Sequence, residues 1–245
     1  MIRRTAAAAL ALGLVVTGLT ACGKDTKDAT VVVYAAASLK ASFETIARDA
    51  GLGVQFNFDG SQNLVDALDN GARADVLATA DQKNMDKAVA KKLVAAPTVF
   101  ASNTLVIATP PDNPAKVTGL DASLGGAKLV VCAVGVPCGN ATEKLARQQG
   151  ATLRPVSQEQ KVSDVLGKVT SGEADAGIVY ATDAKGAGDK VHIVEMDGAD
   201  KVVNSYPIAL TASPADKDGG QRFIDAVLAA DGQKVLRDAG FKVQA

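Results

Sequence analysis

Short apolar segments alternate with amphipathic segments along most of this chain of 245 residues, beginning at residues 31–39. Three consecutive valines and a tyrosine favour a buried strand there. Small alanines then lead through Ser38 into apolar residues at helical spacing, namely Leu39, Phe43, Ile46, Ala47 and Ala50. Strands that alternate with amphipathic helices bury their apolar surfaces best when helices cover a largely parallel sheet. The sequence therefore predicts an α/β fold.

The alternation continues in two further strand–helix pairs, with strands at 54–58 and 75–79 and helices at 61–70 and from 81 onward. One face of the last helix carries Met85, Ala88, Val89 and Leu93. We expect Ser38, Ser61 and Asp81 to be helix N-caps, because their side chains accept hydrogen bonds from the first free N–H groups of a helix. A helix N-terminus also attracts anions, so such a position is also a candidate ligand site.

An extended run at 104–109 ends in a proline-rich break at 110–114, and a second α/β unit follows. We expect strands at 128–134, 174–180, 191–195 and 206–211, a helix from Pro137, and a helix that carries Val162, Val165, Leu166 and Val169. Two C-terminal helices should turn Phe223, Val227, Leu228, Val235 and Leu236 inward. Ligands of open α/β sheets bind beyond the carboxyl ends of strands. A cleft between the units would be lined by the corners at Ser38, Ser61, Pro137–Cys138 and Tyr180.

The first 21 residues are typical of an export signal, with Arg3 and Arg4 ahead of an apolar run that ends before Cys22. Small residues before a cysteine are typical of bacterial lipoprotein signal peptides. We therefore expect residues 1–21 to be removed, Cys22 to be lipidated and residues 22–29 to form a tether. The alternative is an ordinary signal peptide with an incidental cysteine. The expected location is extracytoplasmic, at the outer face of the cell membrane.

The charge balance argues against nucleic acid as a partner. Without residues 1–21 the chain has 24 basic and 27 acidic residues, a net charge of −3, so local donors would have to hold an anionic ligand. Two cysteines remain after Cys22, at positions 132 and 138. An isolated pair often bonds in an oxidising compartment, and two free thiols are the alternative.

Catalytic signatures are weak in this sequence, and we expect a protein that is not an enzyme. His192 is the only histidine and lies in a strand-like run, where a surface position is the ordinary interpretation. Serine-protease chemistry needs a positioned histidine beside the serine. The sequence has no Cys/His cluster with metal-ligand spacing and no Walker-type glycine loop.

Several segments, in order along residues 30–245, resemble the motifs of periplasmic molybdate-binding proteins, the substrate-capturing component of the molybdate ABC transporter. They are Tyr34–Leu39, Gly60–Ser61 with Leu64, Ala74–Val76 with Ala80–Met85, Val136–Gly139, Gly177–Ala184 and Tyr206–Ile208. Any one of Ser38, Ser61 or Tyr180 alone has an ordinary interpretation, as a helix cap or a core ring. The ordered set is far more specific than any single motif.

The resemblance implies a type II periplasmic binding protein, with two α/β lobes joined by two crossing segments and a ligand in the cleft. Lobe 1 would comprise 30–103 and 209–245, and lobe 2 would comprise 104–208 with the hinge segments. We expect the hinge near 102–108 and 204–209. Molybdate or tungstate would be held by hydrogen bonds, without a metal ion or cofactor, and delivered to an ABC permease by a monomer. The implied ligand residues are Ser38 and Ser61 through hydroxyl and N–H groups, Cys138 and Val162 through N–H groups, and Tyr180 through its phenol.

Two departures from the family pattern bear on the ligand. Cys138 replaces an alanine, which keeps the backbone donor and allows a bridge to Cys132. Asp59 and Gln62 stand where small or hydroxyl residues are usual. A carboxylate that faced the cleft would accept the proton of hydrogen phosphate and favour that anion. A sulfate- or phosphate-binding protein of the same fold and a non-transport lipoprotein therefore remain as alternatives.

Overall fold

The computed structural model describes residues 30–243, so the predicted signal peptide, Cys22 and the tether lie outside the described residues. The strands in chain order are β1 (Val31–Ala36), β2 (Val54–Asp59), β3 (Val76–Ala78), β4 (Thr98–Asn103), β5 (Leu105–Thr109), β6 (Leu129–Cys132), β7 (Ser157–Glu159), β8 (Ala176–Tyr180), β9 (His192–Val194), β10 (Asn204–Leu210) and β11 (Lys242–Val243). The α-helices are α1 (Lys40–Asp49), α2 (Ser61–Asp69), α3 (Gln82–Ala90), α4 (Pro137–Gln149), α5 (Val162–Thr170), α6 (Ala181–Ala187), α7 (Lys217–Leu228) and α8 (Ala230–Ala239). Within these residues, no helix is long and apolar enough to cross a membrane.

The strands form two mixed sheets. The first has the order β11-β4-β10-β3-β1-β2, and the second has the order β7-β6-β8-β5-β9. Three neighbouring strands in each sheet run parallel, as the strand–helix alternation predicts. In the first sheet, β10 is antiparallel to both neighbours, and in the second sheet β5 is. The helices α2 and α3 cover one face of the first sheet, while α1, α7 and α8 pack on the other.

The chain crosses between the sheets at two adjacent places. It leaves the first sheet after Asn103, and it returns to that sheet at Asn204, which pairs directly with Asn103. These crossings fall within the expected hinge segments, 102–108 and 204–209. Residues 204–208 pair with the first sheet throughout, whereas the sequence grouped them with lobe 2 and its hinge.

The expected helix caps differ in one respect. Asp81 is the N-cap of α3, and its carboxylate accepts a hydrogen bond from the Asn84 N–H at 2.9 Å. The prediction is wrong for Ser38, which lies in a short 3-10 turn at Ala37–Leu39, and for Ser61, which is the first helical residue after the N-cap Gly60. Both hydroxyls instead make tertiary hydrogen bonds, described below.

The apolar helix faces are buried as expected except at helix ends. Phe43, Ile46 and Met85 are buried. By contrast, Ala50 is exposed, and Val89 and Leu228 are 42% and 38% exposed. These three residues lie in or just beyond the last turn of their helices. The spacing of apolar residues along a helix does not show where the burial of its apolar face ends.

A disulfide joins Cys132, the last residue of β6, to Cys138 in the first turn of α4, with Cα atoms 5.7 Å apart. Pro137 is the first helical residue, where its fixed φ and missing N–H are tolerated. Gly139 has no room for a side chain, because a Cβ there would lie 2.0 Å from the Ala133 carbonyl oxygen. The strand-to-helix corner is therefore compact and covalently closed.

Candidate functional site

A small cavity lies between the two sheets. The five residues that the sequence singled out all line it, and they are Ser38, Ser61, Cys138, Val162 and Tyr180. The first two come from the first sheet's connections and the other three from the second sheet's connections. Strand-to-helix corners from both halves of the fold thus meet at one point, as the rule for open α/β sheets predicts.

Three helices begin at the cavity: α2 at Ser61, α4 at Pro137 and α5 at Val162. None of these three N-termini is capped by a side chain, in contrast with α3. The first N–H groups of a helix have no acceptor inside the helix, and the helix dipole makes that end positive. Three such ends around one small cavity form a setting that attracts an anion.

The hydroxyl groups at the cavity are held by neighbouring polar groups. Ser61 Oγ accepts a hydrogen bond from the Ala80 N–H at 3.0 Å, and Ser38 Oγ lies 3.0 Å from Tyr206 Oη. Tyr180 Oη accepts a hydrogen bond from Asn204 Nδ2 at 3.0 Å. Each hydroxyl therefore has a protein partner and capacity left for a ligand.

Burial keeps both tyrosines of the cavity region protonated. Tyr180 is 1% exposed, and burial raises its pKa well above the ordinary value, with the nearby Tyr206, Asp81 and Asp183 adding to the effect. Burial also raises the pKa of Tyr206. At neutral pH both phenols are hydrogen donors, which a site for an anion requires.

Asp59 lines the cavity, but its carboxylate is engaged by its own loop and helix. Its Oδ1 accepts a hydrogen bond from the Gly60 N–H at 2.7 Å, and its Oδ2 accepts one from Asn63 Nδ2 at 3.2 Å. Both oxygens therefore already have donors that do not come from a ligand. The side chain of Gln62, the other unusual residue of this motif, packs on Gly135 in the opposite half of the molecule.

The two halves are in contact around the cavity. A Cβ at Gly60 would lie 2.2 Å from the carbonyl oxygen of Gln160. Asn140 Nδ2 donates to Asp81 Oδ2 at 3.4 Å, across the same interface. Burial raises the pKa of Asp81, while hydrogen bonds from Asn84 and Asn140 partly offset this. These contacts describe a closed cleft.

The three residues that hydrogen-bond to the cavity hydroxyls were not singled out as site residues from the sequence. Asn204 and Tyr206 lie on β10, and Ala80 lies between β3 and α3. The sequence placed Tyr206 in a motif and Asn204 in a hinge, but nothing in its periodicity showed that their polar groups point to the cavity side. A buried asparagine in a strand is the one available signal, and burial is not visible in a single sequence.

The model of the family described as bacterial extracellular solute-binding protein matches residues 31–242. The chain belongs to this family. The molybdate-binding protein ModA of Mycobacterium tuberculosis H37Rv is 39% identical to it, and the alignment covers 95% of each chain. The family shown is therefore the one expected from the ordered motifs.

Solved structures share the two-lobe α/β fold. The periplasmic molybdate-binding protein of Azotobacter vinelandii has a TM-score of 0.75 at 19% identity, over 88% of this chain and 100% of that one. The sulfate-binding protein SubI of Mycobacterium tuberculosis H37Rv has a TM-score of 0.67 at 17% identity, over 87% and 86%. The predicted fold is confirmed, and it is shared by proteins named for different oxyanions.

Proposed function

We propose that this protein captures molybdate or tungstate outside the cytoplasm and delivers it to an ABC permease. The observation that carries the proposal is the cavity itself, where three uncapped helix N-termini meet buried hydroxyls from both lobes. The name of the relative at 39% identity gives independent support for the choice of anion.

The ligand groups are hydrogen donors. Ser38 and Ser61 supply hydroxyl and N–H groups, Cys138 and Val162 supply N–H groups, and Tyr180 supplies its phenol. Hydrogen bonds to a charged group contribute about 1.5–3 kcal/mol each. Five to seven of them, less the cost of ordering, reach about −12 kcal/mol, which corresponds to nanomolar affinity.

Anion selection follows from the chemistry of the donors. Hydrogen phosphate carries a proton, which would face donors and leave a group unpaired. Sulfate has the same charge as molybdate but is smaller, so it would fill the shell of donors less well. Asp59 lines the cavity, and each of its oxygens accepts one protein hydrogen bond and can accept another, so phosphate is the competing anion that a titration must test.

Transport requires that the cleft open and close. An anion bonded to donors of both lobes shifts the population toward the closed form. The crossing segments beside Asn103 and Asn204 form the hinge, with lobe 1 and lobe 2 divided there. The permease recognises the closed rims, and the protein works as a monomer anchored by a lipid on Cys22.

Calorimetric titration of residues 30–245 with molybdate, tungstate, sulfate and phosphate at fixed salt tests the proposal. We expect submicromolar binding of molybdate and tungstate and much weaker binding of the other two. Tighter binding of phosphate or sulfate would assign the protein to another oxyanion. Binding of none of the four would point to a non-transport lipoprotein or an organic ligand.

A further inference from the structure

The side chain of Asn204 connects the two lobes behind the cavity. Asn204 is 6% exposed and lies at the start of β10. Its Nδ2 donates to the Ala80 carbonyl oxygen at 2.8 Å and to Tyr180 Oη at 3.0 Å. Ala80 follows β3 of the first sheet, and Tyr180 ends β8 of the second sheet. One amide group thus contacts both halves of the molecule.

The Ala80 carbonyl determines which way this amide faces. A carbonyl oxygen only accepts, so the asparagine atom beside it must be the nitrogen. The amide then uses one hydrogen for Ala80 and the other for Tyr180, whose oxygen must accept. A phenol has a single hydrogen. The hydrogen of Tyr180 is therefore kept away from Asn204 and directed to another acceptor.

That other acceptor is either a ligand in the cavity or the neighbouring hydroxyl of Tyr206. In the second case Tyr206 accepts the hydrogen of Tyr180 and can donate its own hydrogen to Ser38, because Tyr206 Oη lies 3.0 Å from Ser38 Oγ. Ser38 then accepts, and its hydrogen is directed to the cavity. The first route gives the cavity the hydrogen of Tyr180, and the second gives it the hydrogen of Ser38 while that of Tyr180 stays with Tyr206.

The hydroxyl of Ser61 is oriented in the same way by the same residue, Ala80. The Ala80 N–H donates to Ser61 Oγ, so the serine oxygen accepts from the protein and keeps its hydrogen for a ligand. The N–H of Ala80 thus sets Ser61, and its carbonyl oxygen sets Asn204 and through it Tyr180. Hydroxyls of both lobes are thus oriented by the two backbone groups of a single residue, Ala80.

We propose that Asn204 is a positioning residue that fixes the cavity hydroxyls as hydrogen donors and thereby determines the preference for anions without a proton. This inference rests on the proposed function, since it concerns the same cavity and the same ligand class. Without Asn204, the Tyr180 hydroxyl can rotate, and its lone pair can accept the proton of hydrogen phosphate. The discrimination between molybdate and phosphate then falls.

The first test needs no ligand. The chain has three tyrosines, so isotope labelling of the ring carbon that bears the hydroxyl gives a simple NMR spectrum. We expect Asn204→Ala to move the Tyr180 resonance, because the donor to its oxygen is lost. The control is Gln233→Ala, which removes a buried amide bonded to the Val227 carbonyl and should leave that resonance in place. An unmoved Tyr180 resonance in Asn204→Ala would overturn the inference.

The second test measures selectivity with molybdate and phosphate as probes. We expect Asn204→Ala to lower the ratio of molybdate affinity to phosphate affinity by about tenfold. A change of this size corresponds to the contribution of one hydrogen bond to a charged group. In a Tyr180→Phe background the same substitution should change the ratio much less, because its target hydroxyl is gone. A purely structural role would give equal changes in both backgrounds, and that result would overturn the inference.

Two further results separate this inference from the proposed function. If the unmodified protein binds neither anion, the proposed function fails, while the tyrosine spectrum still decides whether Asn204 sets the hydroxyl. If Asn204→Ala does not fold, Asn204→Ser retains one donor hydrogen where two are needed. We then expect a smaller change in the same direction in both measurements, and no change would overturn the inference.

Discussion

At the scale of single residues, the site depends on which hydrogen-bonding role each polar group is free to play. Ser38 and Ser61 read as helix caps in the sequence, because serine before an amphipathic segment is the usual signal. In the folded chain neither caps its helix, and both hydroxyls lie at the cavity. The sequence could locate these residues at strand-to-helix corners, but the choice between cap and ligand depends on tertiary partners such as Tyr206 and Ala80.

Removal of single hydroxyls should weaken binding and leave the fold intact. We expect Ser38→Ala and Tyr180→Phe each to weaken molybdate binding, making its free energy less favourable by about 1–3 kcal/mol. The matched control is Tyr34→Phe, because Tyr34 lies on β1 but does not line the cavity. Calorimetry gives the affinities, and urea unfolding checks the fold. Unchanged affinity in both variants would refute the assignment of the site.

Asp183 should make the stability of the fold depend on pH. Its Oδ2 is buried without a hydrogen-bond partner among the described residues, and burial raises its pKa from 3.8 to about 7. Between these values the native state holds a proton that the unfolded chain has lost, so stability falls as pH rises from about 4 to 7. Asp183→Asn removes the charge, and we expect it to be more stable than the parent at pH 8 by about 1–3 kcal/mol.

Urea unfolding at pH 4 and pH 8 measures this effect. The gain from Asp183→Asn should be small at pH 4, where the parent carboxyl is already protonated. The control is Asp189→Asn, which replaces an exposed acid nearby in sequence and should not reproduce the gain at pH 8. A gain from Asp183→Asn that is the same at both pH values would contradict the role of burial.

At the scale of elements, the sequence predicted what local pattern determines and missed what pairing determines. The strands with runs of valine and isoleucine, such as β1, β5 and β8, were located within two residues. By contrast, β4, β7 and β11 were not predicted. The last two have only two or three residues each and extend an edge of their sheets, and β4 lies between β11 and β10. Such strands exist because a partner strand offers free backbone groups, which periodicity cannot show.

The disulfide should hold the donor corner at the start of α4. Its loop is short, so its removal costs about 2 kcal/mol of stability in the chain-entropy model. We expect the double variant Cys132→Ala, Cys138→Ala to bind molybdate several-fold more weakly, because the Cys138 N–H is less firmly positioned. Reductant should lower the affinity of the parent to that of the variant and leave the variant unchanged. Equal affinity of parent and variant would show that the corner is held by packing alone.

At the scale of the whole molecule, binding depends on how closely the two lobes approach. Gly60 and Gly135 lie where backbone or side chain of the opposite half comes too near for a Cβ. The sequence displayed both glycines but could not say that they face another lobe, because this follows only from the packing of two units distant in the chain. The closed form thus requires glycines at the contact between the lobes, and this requirement does not follow from the sequence of either lobe alone.

Gly60→Ala should therefore impair closure without impairing folding. Gly60 has φ −62° and ψ 136°, which alanine adopts without strain. The three atoms nearest to its added Cβ belong to Gln160 and Val136 of the opposite half, the closest at 2.2 Å. The open form that the proposed transport requires would free this position, so we expect normal stability, a more open protein in small-angle scattering with molybdate present, and at least about tenfold weaker binding.

Gly53→Ala is the matched control, because Gly53 lies just before β2 and a Cβ there meets nothing within 4 Å. Its affinity and scattering should equal those of the parent. Added molybdate should compact the parent and the control but have a smaller effect on Gly60→Ala. If Gly60→Ala bound molybdate as tightly as the parent and compacted equally, the approach of Gly60 to Gln160 would not belong to the binding-competent closed form. The anion would then be held by a more open arrangement of the lobes.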